Sequence, residues 1–179
     1  VFGGINLEDI AAPRCFEIEE RLRAELPIPV MHDDQWGAAT VALAGLINSL
    51  KLRGLDAFEA KVVINGIGAA GVATARLLLA YGITNIVFCD SKGVIHKDRT
   101  DLTKEKKELL EKSTANPEAG TLALAVKAAH IFIGLSVAGA LTQEMVRTMA
   151  ERPIIYALAN PTPEIMPELA KEAGAFIVA

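Results

Sequence analysis

Cysteine is scarce in this chain. Cys15 and Cys89 are the only two among 179 residues, and they lie far apart with no metal-type spacing. That excludes a disulfide-built scaffold and a thiolate metal cage. It predicts free buried thiols, as a reducing, cytoplasmic compartment would keep them. Basic charge is not in excess: 18 Lys and Arg stand against 22 Asp and Glu, a net charge of −4. This balance argues against a nucleic-acid partner or an anionic membrane surface. No apolar run reaches the roughly 18 residues of a membrane span, and no signal peptide is read. Repeats and low-complexity tracts are missing too. Trp36, the single tryptophan, reads as packing rather than chemistry. What is present is ordinary for an α/β protein: 51% hydrophobic and 22% charged residues, in a length that suits one domain with a real core.

The stretch from Lys61 to Asp90 organises the rest. Val62, Val63 and Ile64 form a continuous apolar run, as a strand covered on both faces does. Gly66-Ile67-Gly68-Ala69-Ala70-Gly71 follows, a full G-x-G-x-x-G, and then Val72, Ala75, Leu78 and Leu79 recur at helical spacing. A second apolar run, Ile86 to Phe88, ends at Asp90, 24 residues after Gly66. Strand, glycine turn, helix, strand and acid together spell a dinucleotide site. The glycines permit a tight turn, close approach to a pyrophosphate and helix-on-strand packing, and the acid suits an adenosine ribose. The helix start points free N–H groups and a positive dipole end at a phosphate. The alternative is a plain βαβ crossover whose glycines serve packing alone.

Elsewhere the pattern alternates. Residues 13–25 read as an amphipathic helix broken by Pro27 and Pro29. A short strand, Pro29 to Met31, delivers His32-Asp33-Asp34, and a long helix runs from about Gln35 to Leu52 with Asp34 at its N-cap. The polar stretch after Asp90 reads as a loop and a solvated helix that Thr103 caps. Further strands are predicted at Ile131–Ile133, Ile154–Leu158 and Ala175–Val178, with helices over 142–150, capped by Thr142, and from Pro167 between them. The fold class predicted is α/β, a doubly wound, Rossmann-type parallel sheet. Ligands in such sheets lie beyond the carboxyl ends of the strands. That brings Gly66–Gly71, Asp90, Gly134–Ser136 and Asn160 around one crevice.

A second constellation is carboxylic. Glu8 and Asp9, and Asp33 and Asp34, form two acid pairs, each at the end of a short apolar segment. Such a set suits a hard divalent cation, Mg²⁺ or Mn²⁺. The bland reading is capping by Asp34 and solvated acids at Glu8 and Asp9. His32 and His96 read as ordinary polar residues. A cation beside a nicotinamide would hold a 2-hydroxy acid and polarise the 2-oxo acid formed from it, easing loss of a β-carboxylate as CO₂.

Five segments in this order, GGINLEDI, PVMHDDQWGAAT, VVINGIGAAGVA, FIGLS and ALANPTPEI, resemble the bacterial malic enzymes from end to end of the chain. The resemblance implies oxidative decarboxylation of malate to pyruvate and CO₂. It matches Glu8, Asp9 and Asp34 to three metal-binding acids, Asp33 to an acid paired with the catalytic lysine, and Asn160 to a malate contact. Gly66, Ile67, Gly68, Ala69, Ala70, Gly71, Asp90, Ser91, Ser136 and Asn160 fall at the cofactor site. It also implies a homodimeric full-length enzyme. Its catalytic tyrosine and lysine belong to an N-terminal domain, and a further segment follows, so this chain is expected to be a fragment that is inactive alone. Within it, residues 1–54 would carry the metal acids and 55–179 the Rossmann core, together one NAD(P)-binding domain. Trp36 and Ala38 depart from the family, which has a small polar residue or histidine, and threonine, there.

Asp90 points to NAD. Ser91, Lys92 and Lys107 would allow NADP, because users of that cofactor tend to place a serine and a lysine near this acid. Two readings of other classes stay open on the residues alone: a metal-independent dehydrogenase of the amino-acid type, and a nucleotide-binding module without chemistry.

Overall fold

The computed structural model describes residues 2–179; Val1, part of the glycine-led opening, lies outside them. The chain begins with β1 (Ile5–Leu7), α1 (Arg14–Glu25), β2 (Val30–His32) and α2 (Asp33–Arg53). After a 3-10 turn at Ala57–Glu59 come β3 (Val62–Asn65), α3 (Ala69–Tyr81), β4 (Ile86–Asp90), β5 (Gly93–Val94) and α4 (Lys104–Lys112). The last part is α5 (Leu122–Ala125), β6 (Ile131–Gly134), α6 (Gln143–Thr148), β7 (Ile154–Ala157), α7 (Pro167–Glu172) and β8 (Ile177–Val178).

The main sheet has six strands in the order β5-β4-β3-β6-β7-β8. All neighbours are parallel except β4 and β5. The chain steps from β3 to β4 on one side and resumes with β6 on the other, so a switch point opens between β3 and β6. The strands are apolar along most of their length because both faces are covered, with Asn65 and Asp90 at the carboxyl ends of β3 and β4. Val62, Ile64, Ile86, Phe88, Ile131, Ile133, Ile154 and Tyr156 pack with Leu46 and Leu50 of α2 and Val72, Ala75 and Leu78 of α3. The alternate residues Val63, Val87, Cys89, Phe132 and Ile155 pack with Val126, Leu141, Val146 and Ala170 on the opposite face. Side chains alternate across a strand, so one sequence run feeds two cores.

α2 lies along α3 and reaches the sheet. A Cβ on Gly45 would stand 2.6 Å from the Tyr156 hydroxyl, so the missing side chain lets the helix seat on β7. The Ser49 hydroxyl meets the same Tyr156 oxygen at 2.9 Å. Gly54, at φ +70°, closes α2 in the left-handed conformation that glycine adopts without strain.

β1 and β2 form a separate two-stranded parallel sheet, with Leu7 beside His32. Two expectations are corrected. The stretch after Asp90 is not all loop: β5 turns back at Gly93 (φ +97°) and pairs antiparallel with β4. Asp34 is not an N-cap. α2 starts two residues earlier, at Asp33 with His32 at the cap position, and the Asp34 carboxylate turns outward and accepts the backbone N–H of Asp9 at 2.8 Å. The threonine caps are present, Thr103 accepting from Lys106 N–H at 3.5 Å and Thr142 from Met145 N–H at 3.3 Å. Both cysteines are free and buried. No described helix is long and apolar enough to cross a membrane.

Candidate functional site

Each motif glycine has its own reason to be glycine. Gly66 takes φ +104°, donates to Cys89 O at 2.9 Å, and lies so close to the Leu135 carbonyl that a Cβ would overlap it. Gly71 opens α3 directly above Gly66, whose carbonyl would likewise overlap an added Cβ. Gly68 is the opposite case. It is exposed, and a Cβ there would meet nothing within 4 Å. The open space at Gly68 faces the start of α3, where the first N–H groups have no partner within the helix. Ile67 turns its side chain into the core, so it can offer a ligand only its backbone.

Asp90 ends β4 and is nearly buried, its side chain 12% exposed. Its Oδ1 accepts from Lys92 N–H at 2.9 Å and Arg99 Nη1 at 2.8 Å; its Oδ2 accepts from Arg99 Nη2 at 3.0 Å and Lys106 Nζ at 2.6 Å. Burial alone would push the carboxyl up. The hydrogen bonds from Arg99, Lys106 and Lys92 outweigh it and hold the pKa down at about 2. Arg99 and Lys92 also bind Asp101, at 2.8 and 2.6 Å. Three cations thus surround two carboxylates. Ser91 is exposed beside them, and Lys106, rather than Lys107, supplies the helix cation. Burial, with Asp90 adjacent, pushes the Cys89 thiol up to about 12, which keeps it protonated and inert.

Across the switch point, Asn65 accepts Leu135 N–H at 2.8 Å on its backbone carbonyl, and its side-chain Nδ2 donates to Ser136 Oγ at 2.8 Å. Ser136 in turn donates its N–H, at 2.8 Å, and its hydroxyl, at 3.0 Å, to Glu164 Oε1. Glu164 Oε2 accepts Ala159 N–H at 3.1 Å. Asn160 follows, exposed, just past the end of β7. The glycine loop, Ser136 and the Asn160 turn therefore follow the carboxyl ends of three neighbouring strands, β3, β6 and β7, and Asp90 ends β4 on the other side of β3.

The carboxylic set is brought together only in part. The parallel β1–β2 register sends residues 8–9 and 33–34 out from adjacent strand ends. Asp34 touches Asp9 through its backbone N–H, Asp9 takes the left-handed conformation at φ +57°, and Glu8 accepts from Asn6 Nδ2 at 3.1 Å. Among the described residues no three His, Cys, Asp or Glu side chains converge on one point. The donor chemistry suits a hard cation all the same: Glu8, Asp9 and Asp34 are exposed carboxylates at neighbouring strand ends. Asp33 stands apart. Its carboxylate lies along α2 against Gly37, in space that a side chain there would occupy. Behind Asp34 lies His32, wholly buried, with Nε2 3.6 Å from Asp34 Oδ2 and neither ring nitrogen hydrogen-bonded. Trp36 leans the other way, donating Nε1 to the buried Glu19 carboxylate at 2.8 Å, which also takes Gln35 Nε2 at 2.9 Å. The tryptophan thus packs α2 on α1, as its type suggests.

The residues missed from the sequence are Asn65, Arg99, Lys106 and Glu164. Only Glu164 carried a signal, as an acid in a proline-rich turn beside a site residue.

Comparison with known proteins agrees with this geometry. The family described as malic enzyme, NAD binding domain, matches residues 36–173. A bifunctional malic/malolactic enzyme of Bacillus subtilis is 56% identical over 178 residues, which are 99% of this chain and 43% of that protein. An NADP-dependent malic enzyme of Rhizobium meliloti is 54% identical over 169 residues, 93% of this chain and 22% of that one. The crystal structure of the NAD-dependent malic enzyme of Thermotoga maritima superposes with a TM-score of 0.95 at 49% identity, covering 99% of this chain and 48% of that one. The chain spans less than half the length of each relative.

Proposed function

The chain belongs to the malic enzymes, through their NAD-binding domain, and on that premise we propose that it supplies the dinucleotide crevice of an enzyme converting (S)-malate to pyruvate and CO₂. The observation that carries this reading is the open face of Gly68 under the first turn of α3, beside the switch point between β3 and β6. A pyrophosphate there would meet free N–H groups and the positive end of a 13-residue helix. The nicotinamide, when bound, supplies the acceptor for the hydride that leaves C2 of malate.

The chain's own residues bind and orient. Gly66 to Gly71 receive the phosphates. Asp90 and Ser91 face the adenosine ribose. Ser136 and Asn160 face the nicotinamide half, with Asn160 in contact with malate. Asp33 would hold the lysine that the family places in another domain, fixing the position from which it exchanges a proton with the substrate. Glu8, Asp9 and Asp34 would hold a divalent cation, which when bound polarises the oxygen at C2 and stabilises the enolate left by CO₂. Residues 1–54 and 55–179 would act as one unit, a reading supported by the packing of α2 on α3. We also take the intact enzyme to be cytoplasmic, which the two buried free thiols of this stretch suit, and homodimeric, which light scattering would check.

For the cofactor, the position of Asp90 favours NAD⁺. A specific observation favours a second reading, NADP⁺: all four acceptor positions of Asp90 are filled, three of its hydrogen bonds coming from Arg99 and Lys106, so a ribose hydroxyl finds no free lone pair while a 2′-phosphate finds cations. Calorimetric titration of the intact protein with NAD⁺, NADP⁺ and Mn²⁺, followed by malate-dependent reduction of the preferred dinucleotide, tests the proposal. Absence of binding by both dinucleotides overturns it.

A further inference from the structure

Glu164 is a wholly buried carboxylate, 0% exposed, to which the sequence reading gave no role. Its side chain pairs with no lysine, arginine or histidine among the described residues. Its contacts are three oriented donors: Ser136 N–H at 2.8 Å, Ser136 O–H at 3.0 Å and Ala159 N–H at 3.1 Å. Removing a carboxylate from water without a counter-ion is costly unless such donors replace the water. The fold makes room for it, because a Cβ on Gly134 would overlap the carboxylate. Both oxygens therefore clamp two separate turns, the one after β6 and the one after β7. These are the turns that border the crevice on the side away from Asp90.

The clamp decides what Ser136 can offer. Its hydroxyl hydrogen goes to Glu164 Oε1, and one lone pair accepts Asn65 Nδ2 at 2.8 Å. A hydroxyl has one donor and two acceptor positions, so a single lone pair is left. Toward the crevice Ser136 is an acceptor only. Its complement on a ligand is a donor, the amide N–H₂ of a carboxamide or a ribose hydroxyl. Both belong to the half of the dinucleotide opposite the adenosine at Asp90.

We infer that Glu164 is a positioning residue for the nicotinamide half: it fixes Ser136 as an acceptor facing the crevice and sets the direction in which Asn160 leaves β7. This rests on the reading of the crevice as a dinucleotide site. The test compares, in the intact protein, the binding of NAD⁺ or NADP⁺ with that of ADP or its 2′-phosphate, which lack the whole nicotinamide riboside. Glu164→Gln sets an amide N–H₂ against one of the three donors. It should weaken the dinucleotide about tenfold, the upper range of one lost hydrogen bond, and leave the ADP ligand within about twofold. Ser136→Ala, at a half-buried site, should show the same selectivity, and the double variant should be no weaker than Glu164→Gln, since the two act through one contact. If Glu164→Gln does not fold, the selectivity of Ser136→Ala decides alone. Equal weakening of both ligands, no weakening, or additive effects overturn the positioning role. Failure of the unmutated protein to bind either ligand overturns the dinucleotide reading with it.

Discussion

The Lys106 ammonium stands 2.6 Å from Asp90 Oδ2, on the same oxygen that Arg99 Nη2 holds at 3.0 Å. The acid expected to greet a ribose hydroxyl is therefore held by two cations, and one of them comes from a different element, α4.

This pairing makes cofactor choice depend on Lys106. Lys106→Ala removes a cation from the ribose end and frees an acceptor on Asp90. We expect affinity for NADP⁺ to fall roughly tenfold or more, the range of one charge-assisted contact, and affinity for NAD⁺ to stay within about twofold or improve. Calorimetry with both dinucleotides measures the ratio. An unchanged ratio would show that Lys106 serves Asp90 alone.

The same network predicts the acid response. Folding holds the Asp90 carboxyl at about 2, and Lys112 and Arg76 hold Glu108 at about 2 as well. Both lie below their ordinary values, so the folded state binds these protons less readily than the unfolded one. Their contribution is complete above the ordinary carboxylate range and drains away as the pH falls from about 4–5 toward about 2. Urea midpoints across that range should fall steeply. Asp90→Asn should flatten the slope while lowering stability near neutral pH.

Gly68 and Gly71 should respond in opposite ways. A side chain at Gly68 meets no atom of the protein, so Gly68→Val should keep the circular dichroism spectrum and shift Tm by at most a few degrees, while dinucleotide affinity falls at least about tenfold, since the added group fills the pyrophosphate's place. Gly71→Ala drives a methyl into the Gly66 carbonyl and should destabilise by about 1–3 kcal/mol. Thermal melts and titrations on both variants separate ligand space from packing space.

The adjacent acids Asp33 and Asp34 should also divide. Asp34 points outward to Asp9, whereas Asp33 lies back along α2. In the intact enzyme Asp34→Asn should weaken Mn²⁺ binding about tenfold, because a hard cation responds to the number of charged ligands. Asp33→Asn should lower turnover and alter the pH–rate profile with a smaller change in Mn²⁺ affinity. The reverse pattern would mean that their roles are exchanged.

Trp36→Phe keeps most of the apolar area but strips the Nε1–H from the Glu19 carboxylate. That leaves a buried acid one donor short, and the expected cost is about 1–3 kcal/mol, read from urea unfolding.

What the sequence displayed was what is local. The apolar runs Val62–Ile64 and Ile131–Ile133, the glycine triplet and the caps at Thr103 and Thr142 each depend on residues a few positions apart, and the structure contains them. Partnerships across the fold were not visible. Arg99 and Lys106 reach Asp90 from 9 and 16 residues away, and Glu164 reaches Ser136 across 28. Spacing along the chain does not fix such pairs; strand order and loop course do. β5 was hidden for another reason: a two-residue strand led by Gly93 has no periodicity to detect.

The seating of Gly45 beneath Tyr156 has a geometric consequence. It pins the rotational phase of α2, and Asp34 lies eleven residues up the same continuous helix. Each residue inserted or deleted between them would turn the acid end by about 100° and move it by about 1.5 Å. A single-residue insertion after Ala38 would therefore swing Asp34 away from Asp9, just past β1, while the sheet, which meets the helix lower down, stayed as it is. Natural length variation should thus collect in places such as the 113–121 connection and avoid the first three turns of α2.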